Sequence, residues 1–186
     1  MNASHSLSPR ARWLLAGAAF LASAASAHVV LDYQAAAAGS SYRATFKIGH
    51  GCGESATRQV VVDLPAGVRG AHPMPKPGWQ LAVERGPLPQ PETSHGRTVT
   101  ADVVRITWTA RSREDMLASA HYDEFVLVAR LPAQAGTLYW PVRQLCEDGR
   151  NEWVEVPRPG QKLSDLKSPA ALLEILPTGG GAEHKH

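Results

Sequence analysis

The sequence predicts an all-β protein, a β-sandwich of about seven to nine short strands that is closed by one disulfide. Short runs rich in β-branched and aromatic residues recur along the chain, and turn residues, chiefly proline and glycine, separate them. Apolar residues at helical spacing are scarce. The chain contains two cysteines, an even number that is sufficient for one disulfide.

Residues 1–27 have the layout of a secretory signal peptide. Arg10 and Arg12 precede an apolar run over residues 13–21, and small residues follow up to Ala27. This apolar run is about half the length of a transmembrane helix, which needs roughly 20 residues, and no later segment is comparable. We therefore expect cleavage after Ala27, export to the periplasm, and a protein without a membrane anchor.

The exported chain begins a series of predicted strands. The clearest is Ser41–Ile48, where apolar and polar side chains alternate, as is typical of a half-buried strand. A valine-rich run at residues 59–64 ends at the turn-like sequence Pro65-Ala66-Gly67. The predicted strands cover residues 29–33, 41–48, 59–64, 79–84, 98–109, 124–131, 137–145 and 152–156.

The segments between and after these strands have weaker signals. Residues 114–120 are expected to form a turn or two of helix, and residues 168–176 either a short helix or a last strand. Three prolines and the polar residues that follow them predict an exposed loop over residues 87–96. Residues 28–177 therefore form a single predicted domain, and residues 178–186, with three consecutive glycines, form a flexible tail.

The charge balance argues against a nucleic-acid role. The whole chain has 19 lysines and arginines against 17 aspartates and glutamates. Loss of Arg10 and Arg12 with the signal peptide makes the two classes equal, so the exported chain lacks the basic excess of proteins that bind nucleic acid.

The two cysteines, Cys52 and Cys146, are expected to form a disulfide because the exported chain enters an oxidising compartment. The alternative is a thiolate copper site of the blue-copper kind, with His72 and Met74 as further ligands. That site requires a reduced cysteine, which the compartment disfavours.

His28 is the most informative residue for function. Cleavage after Ala27 leaves His28 with a free α-amine, and this amine and the imidazole Nδ1 atom can chelate one metal ion. Copper(II) is the first-row divalent ion that binds nitrogen ligands most tightly. The plainer alternative is that the cleavage site precedes a histidine by coincidence.

Further histidines are candidates for a second imidazole ligand, but their spacing marks none of them out. The third exported residue is Val30, which excludes the copper motif that needs histidine at that position. His184 and His186 in the tail either capture metal weakly or have no role. The internal candidates are His50, His72, His95 and His121.

Several short motifs follow one another in a recognisable order. They are terminal His28, residues 46–57 with the sequence FKIGHGCGESAT, residues 60–65, Pro77-Gly78-Trp79, residues 139–144 with the sequence YWPVRQ, Cys146 and Glu152-Trp153. In this order and spacing, over nearly the whole exported chain, they resemble the YcnI-like family of exported copper-binding proteins.

The resemblance implies an immunoglobulin-like or cupredoxin-like sandwich that binds one copper(II) ion. By position, His28 corresponds to the terminal histidine of the family, Glu54 to its glutamate and Trp140 to its tryptophan. A carboxylate oxygen would complement the two nitrogens, and an indole face offers a cation–π contact. Without the resemblance, Glu54 reads as a solvated loop acid and Trp140 as a core residue.

Three functions are therefore open. The first is a non-enzymatic periplasmic copper chaperone or store, which passes copper(II) to other copper carriers or copper-receiving proteins. The second is an oxidative copper enzyme, by analogy with the terminal histidine of lytic polysaccharide monooxygenases. The third is a metal-independent protein-interaction sandwich, in which His28 is incidental. Sandwich folds host all three roles.

Overall fold

The computed structural model describes residues 28–94 and 96–178. These residues form twelve strands and one short 3-10 helix at Leu163–Asp165. The strands are β1 (Val30–Leu31), β2 (Ala35–Ala37), β3 (Ser41–Ile48), β4 (Thr57–Asp63), β5 (Arg69–Pro73), β6 (Trp79–Ser94), β7 (Arg97–Ala110), β8 (Asp123–Arg130), β9 (Gly136–Trp140), β10 (Val142–Cys146), β11 (Arg150–Trp153) and β12 (Ala171–Leu176).

The strands make two main sheets that pack into a sandwich, and a small third sheet. The first sheet has the strand order β1-β3-β8-β5, and the second has the order β11-β10-β4-β7-β6. The third consists of β2, β12 and β9. The all-β prediction is confirmed, and within the described residues no helix has the length and apolar character needed to cross a membrane.

Alternation of buried and exposed side chains explains the strands that the sequence predicts best. In β3, Tyr42, Ala44 and Phe46 are buried, whereas Arg43 is exposed. In β4, Val60 and Val62 point into the same core. Burial of these side chains on the inner faces of the two sheets provides the main favourable free energy of folding.

The predicted loop at residues 87–96 is wrong, because strand continues to Ser94. Strand β6 is an edge strand, so one row of its backbone N–H groups needs no partner. The ladder with β7 is irregular between Pro87 and Glu92, so Pro89 and Pro91 lie in a bulge where a missing N–H group breaks no ladder hydrogen bond. As a result β6 and β7 form a long hairpin that extends beyond the rest of its sheet.

Other boundaries also differ from the prediction. The run at residues 137–145 divides at Pro141 into β9, which joins the third sheet, and β10, which joins the second. Residues 114–120 form turns rather than helix, and Leu117 makes an isolated bridge with Thr57. Residues 168–176, which were predicted to form either a short helix or a last strand, contain the strand β12. With this division, and with β2, β5 and β12 in addition, the described residues form twelve strands, more than the predicted seven to nine.

Cys52 and Cys146 form the predicted disulfide, with an S–S distance of 2.04 Å and a Cα–Cα distance of 6.0 Å. It links the loop after β3 to the end of β10, and so joins the two main sheets. No free cysteine remains in the described chain. The blue-copper alternative is therefore wrong for this oxidised form, because it needs a thiolate.

Some predictions fall on residues outside the described ranges. The signal peptide at residues 1–27, His95, and the tail from residue 179, which includes His184 and His186, are among them.

Candidate metal centre

His28 lies at one end of the sandwich. It precedes β1, which pairs antiparallel with β3 through Val30 and Lys47. This pairing brings His28 toward the end of β3, where the sequence Gly49-His50-Gly51 follows. The side chain is half-buried, and its imidazole lies edge-on to the indole of Trp153, with ring centroids 5.3 Å apart and an interplanar angle of 77°. A terminal histidine at this position therefore has a defined neighbour.

Trp153 is held in place by the hairpin of β10 and β11. It pairs with Val142 in the antiparallel register of these strands and is only 5% exposed. Its indole N–H, like that of Trp140, is buried and has no hydrogen-bond acceptor within the described chain. Because an indole N–H only donates, Trp153 can line a cation site or donate to a ligand oxygen, but it cannot supply a lone pair.

Trp140 occupies a different environment. It ends β9, is fully buried, and packs edge-on against Phe46 with ring centroids 5.7 Å apart. The structure thus places Trp153, and not the position carried over from the family resemblance, against His28. Trp153 is not among the candidate ligands that the sequence indicates. The Asp148-Gly149 sequence could have indicated a hairpin that pairs Trp153 with Val142.

Glu54 is exposed on the loop between β3 and β4. This loop turns at Gly53, which has a φ of 63°, and backbone hydrogen bonds in both directions join Cys52 and Ser55 across the turn. The disulfide anchors the same loop at Cys52. Glu54 is therefore an accessible carboxylate on a short, covalently tethered turn.

A buried polar network supports the start of this loop, where Gly49, His50 and Gly51 follow β3. Gln144, 1% exposed, donates from Nε2 to the carbonyl oxygen of His50 at 2.6 Å and to Oγ1 of Thr57 at 2.7 Å. Asn151 donates from Nδ2 to Oε1 of Gln144 at 3.1 Å and to the carbonyl oxygen of Gly51 at 3.4 Å. These bonds tie the segment after β3 to the same hairpin that carries Trp153.

The remaining histidines are distributed differently. His50 follows β3 at the same end of the sandwich as His28, and His121 lies in the turn before β8, whose first residue, Asp123, pairs with Ile48. His72 lies in β5 and is exposed. Among the described residues, no three histidine, cysteine, aspartate or glutamate side chains are close enough to hold a metal ion together.

Curated proteins give no match. A crystal structure of an uncharacterized protein from Nocardia farcinica, described as having an immunoglobulin-like fold, aligns with 80% of this chain and 97% of that chain. The two are 27% identical, with a TM-score of 0.61. This similarity supports the immunoglobulin-like architecture, the first of the two that the family resemblance implied.

The model of a family described as "Domain of unknown function (DUF1775)" matches residues 28–175. The match begins at His28 and ends one residue before the end of β12, so it covers the sandwich. The YcnI-like family is this family, so the resemblance found in the motifs is confirmed at that level. The chain belongs to the DUF1775 family.

Proposed function

We propose that this protein is an exported, non-enzymatic copper(II)-binding protein, a periplasmic chaperone or store that carries one ion at its terminal histidine. The single observation that carries the proposal is the seating of the His28 imidazole against the buried indole of Trp153. A rigid aromatic neighbour orients the imidazole and shields one side of the site from water.

The chemistry of the site depends on signal-peptide cleavage after Ala27. The freed α-amine of His28 has an ordinary pKa of about 8, so at neutral pH the metal has to displace a proton from it. Copper(II) affinity is therefore expected to fall about tenfold per pH unit below that pKa. The amine and Nδ1 of one residue form a chelate, and copper(II) binds such a nitrogen pair more tightly than zinc(II) does.

Glu54 is the proposed oxygen ligand. Its turn is tethered by the disulfide at Cys52, which limits how far the carboxylate can move from the end of β10. For the indole contact we propose Trp153, since its ring contacts the His28 imidazole, whereas the Trp140 ring packs against Phe46. A site with two strong nitrogens and a solvent-facing carboxylate suits release of copper to a copper-receiving protein.

The test compares two forms of the exported protein, both beginning at His28: one with a free α-amine and one whose α-amine has been acetylated. Each is titrated with copper(II) and followed by tryptophan fluorescence and electron paramagnetic resonance. We expect one equivalent to bind the first form, with a nitrogen-rich spectrum, and the second form to bind at least about a hundredfold more weakly, because it loses the chelate.

Equal binding by both forms would overturn the proposal, since the amine would then play no part. A His28→Ala variant with the natural terminus separates the imidazole from the amine. Turnover of polysaccharide with a reductant or peroxide would contradict a carrier role and favour an oxidative enzyme.

A further inference from the structure

A large groove lies at the opposite end of the sandwich from His28. It has a volume of about 1130 Å³ and runs between β5, an edge strand of the first sheet, and the extended β6–β7 hairpin of the second. Ser41 lines it at the start of β3, whereas His28 lies near the end of that strand. An eight-residue strand spans roughly 23 Å, so the groove and the candidate metal centre are separate.

Three arginines surround the groove, and two of them face each other. Arg69 in β5 pairs directly with Arg130 in β8, and like charges at such positions repel. Arg69 is neutralised by Glu92, at 2.9 Å, from the overhanging hairpin. In the part of the chain that the structure describes, neither Arg130 nor Arg85, the third arginine, forms an ion pair. With three arginines against the two acids Glu92 and Asp102, the groove lining keeps one net positive charge.

The one buried acid in the groove is held in place by backbone hydrogen bonds, which orient its carboxylate but leave its negative charge. Asp102, 8% exposed, accepts backbone N–H hydrogen bonds on both oxygens, from Gly70 at 2.8 Å and from Val103 at 2.7 Å. Its bond to Gly70 also occupies an N–H group of the edge strand β5. A ligand would consequently be recognised by side chains rather than by extending the sheet at Gly70.

The floor of the groove is apolar. Ala71, Val103 and Leu131 are buried beneath it and contribute to its lining. The groove is also larger than most small-molecule pockets, which measure about 300 to 1,000 Å³. An elongated ligand that bears both carboxylates and apolar groups matches this combination better than a small anion.

We propose that this groove is a docking site for an extended acidic segment of a partner protein, with carboxylates against Arg85 and Arg130 and apolar side chains on the floor. Such contacts mainly favour encounter and specificity, and they weaken as salt rises. The inference goes beyond copper binding and does not depend on it.

The probe is a fluorescein-labelled decapeptide of alternating glutamate and valine, titrated against the exported protein by fluorescence anisotropy at 50 mM and 200 mM salt. The test variant is a double variant that carries both Arg85→Glu and Arg130→Glu. The control, Arg43→Glu with Arg111→Glu, makes the same charge change at exposed arginines that do not line the groove. We expect at least about tenfold weaker binding for the test variant only, and several-fold weakening at the higher salt.

A second variant keeps the test informative even if the double arginine variant fails to fold. Glu92→Gln removes the carboxylate that neutralises Arg69, so it should tighten peptide binding about two- to threefold. The proposal would be overturned by equal weakening in the control, by unchanged binding in the test variant, or by no binding of the peptide. Equally tight binding of citrate or of a single-stranded DNA decamer would likewise overturn it, in favour of a small-anion or a non-specific polyanion site.

Discussion

The imidazole of His28 and the indole of Trp153 pack in a T-shaped pair with ring centroids 5.3 Å apart. This contact joins the first and second sheets, because His28 precedes β1 and Trp153 ends β11. Edge-to-face aromatic pairs contribute about 0.5 to 1.5 kcal/mol beyond the burial of their area. The pair therefore stabilises this end of the sandwich and orients the residue that cleavage would make terminal.

Replacement of Trp153 tests which indole reports the metal. Trp153→Phe should remove most of the fluorescence quenching that copper(II) causes and weaken binding about tenfold, because the aromatic neighbour of His28 is altered. Trp140→Phe is the matched control and should leave the copper-dependent quenching and affinity unchanged. If only the Trp140 variant loses the quenching, Trp140 is the indole that lies next to the metal, as the family resemblance implied.

The disulfide links stability to the loop that carries Glu54. Replacement of Cys52 and Cys146 by alanine should lower the free energy of unfolding by about 2 to 5 kcal/mol, as measured by urea titration, because the unfolded chain gains entropy. If Glu54 is a ligand, the folded variant should also bind copper(II) more weakly, since its turn is no longer tethered. Combined with Glu54→Gln, the cysteine change should cause no further loss of affinity.

Gln144 is predicted to be the most sensitive buried polar residue at this end of the fold. Gln144→Leu removes the donor to His50 and Thr57 and the acceptor for Asn151, and should cost about 2 to 4 kcal/mol of unfolding free energy. Gln59→Leu, which removes one hydrogen bond to Thr109, should cost about 1 kcal/mol or less. If urea unfolding gives similar losses for both variants, the network around Gln144 contributes no more to stability than a single hydrogen bond.

Asp63 should make stability depend on pH. Partial burial acts to raise its pKa, but hydrogen bonds and charge from Arg105 and Arg143 outweigh burial and lower the pKa below the ordinary 3.8. Because the folded-state pKa is the lower one, the stabilisation is complete above about pH 4 and is lost as pH falls through the folded-state pKa.

Asp63→Asn should therefore reduce the free energy of unfolding by about 1 to 2 kcal/mol at pH 7. The difference between wild type and variant should stay constant from pH 8 to pH 5 and shrink below about pH 4. Thermal unfolding across that range measures it. A difference that grows on acidification would contradict the assignment of the ion pairs.

Local pattern was sufficient for much of the fold. Alternation along Ser41–Ile48 and the valine-rich run of β4 predict strands whose burial depends on their own residues. It failed at residues 87–96, because a proline-rich segment becomes strand only when it lies at the edge of a sheet. It also failed at Pro141, where one apolar run is shared between two sheets.

The sequence by itself determined the all-β class, the pairing of Cys52 with Cys146 and the candidacy of His28, since strand pattern, cysteine number and the signal-peptide layout before His28 carry those properties. The tertiary structure decided which tryptophan meets His28 and where Arg69, Arg85 and Arg130 converge. Both are contacts between different sheets or different strands. They depend on strand order and register, and these arise from the joint packing of two faces that no local pattern encodes.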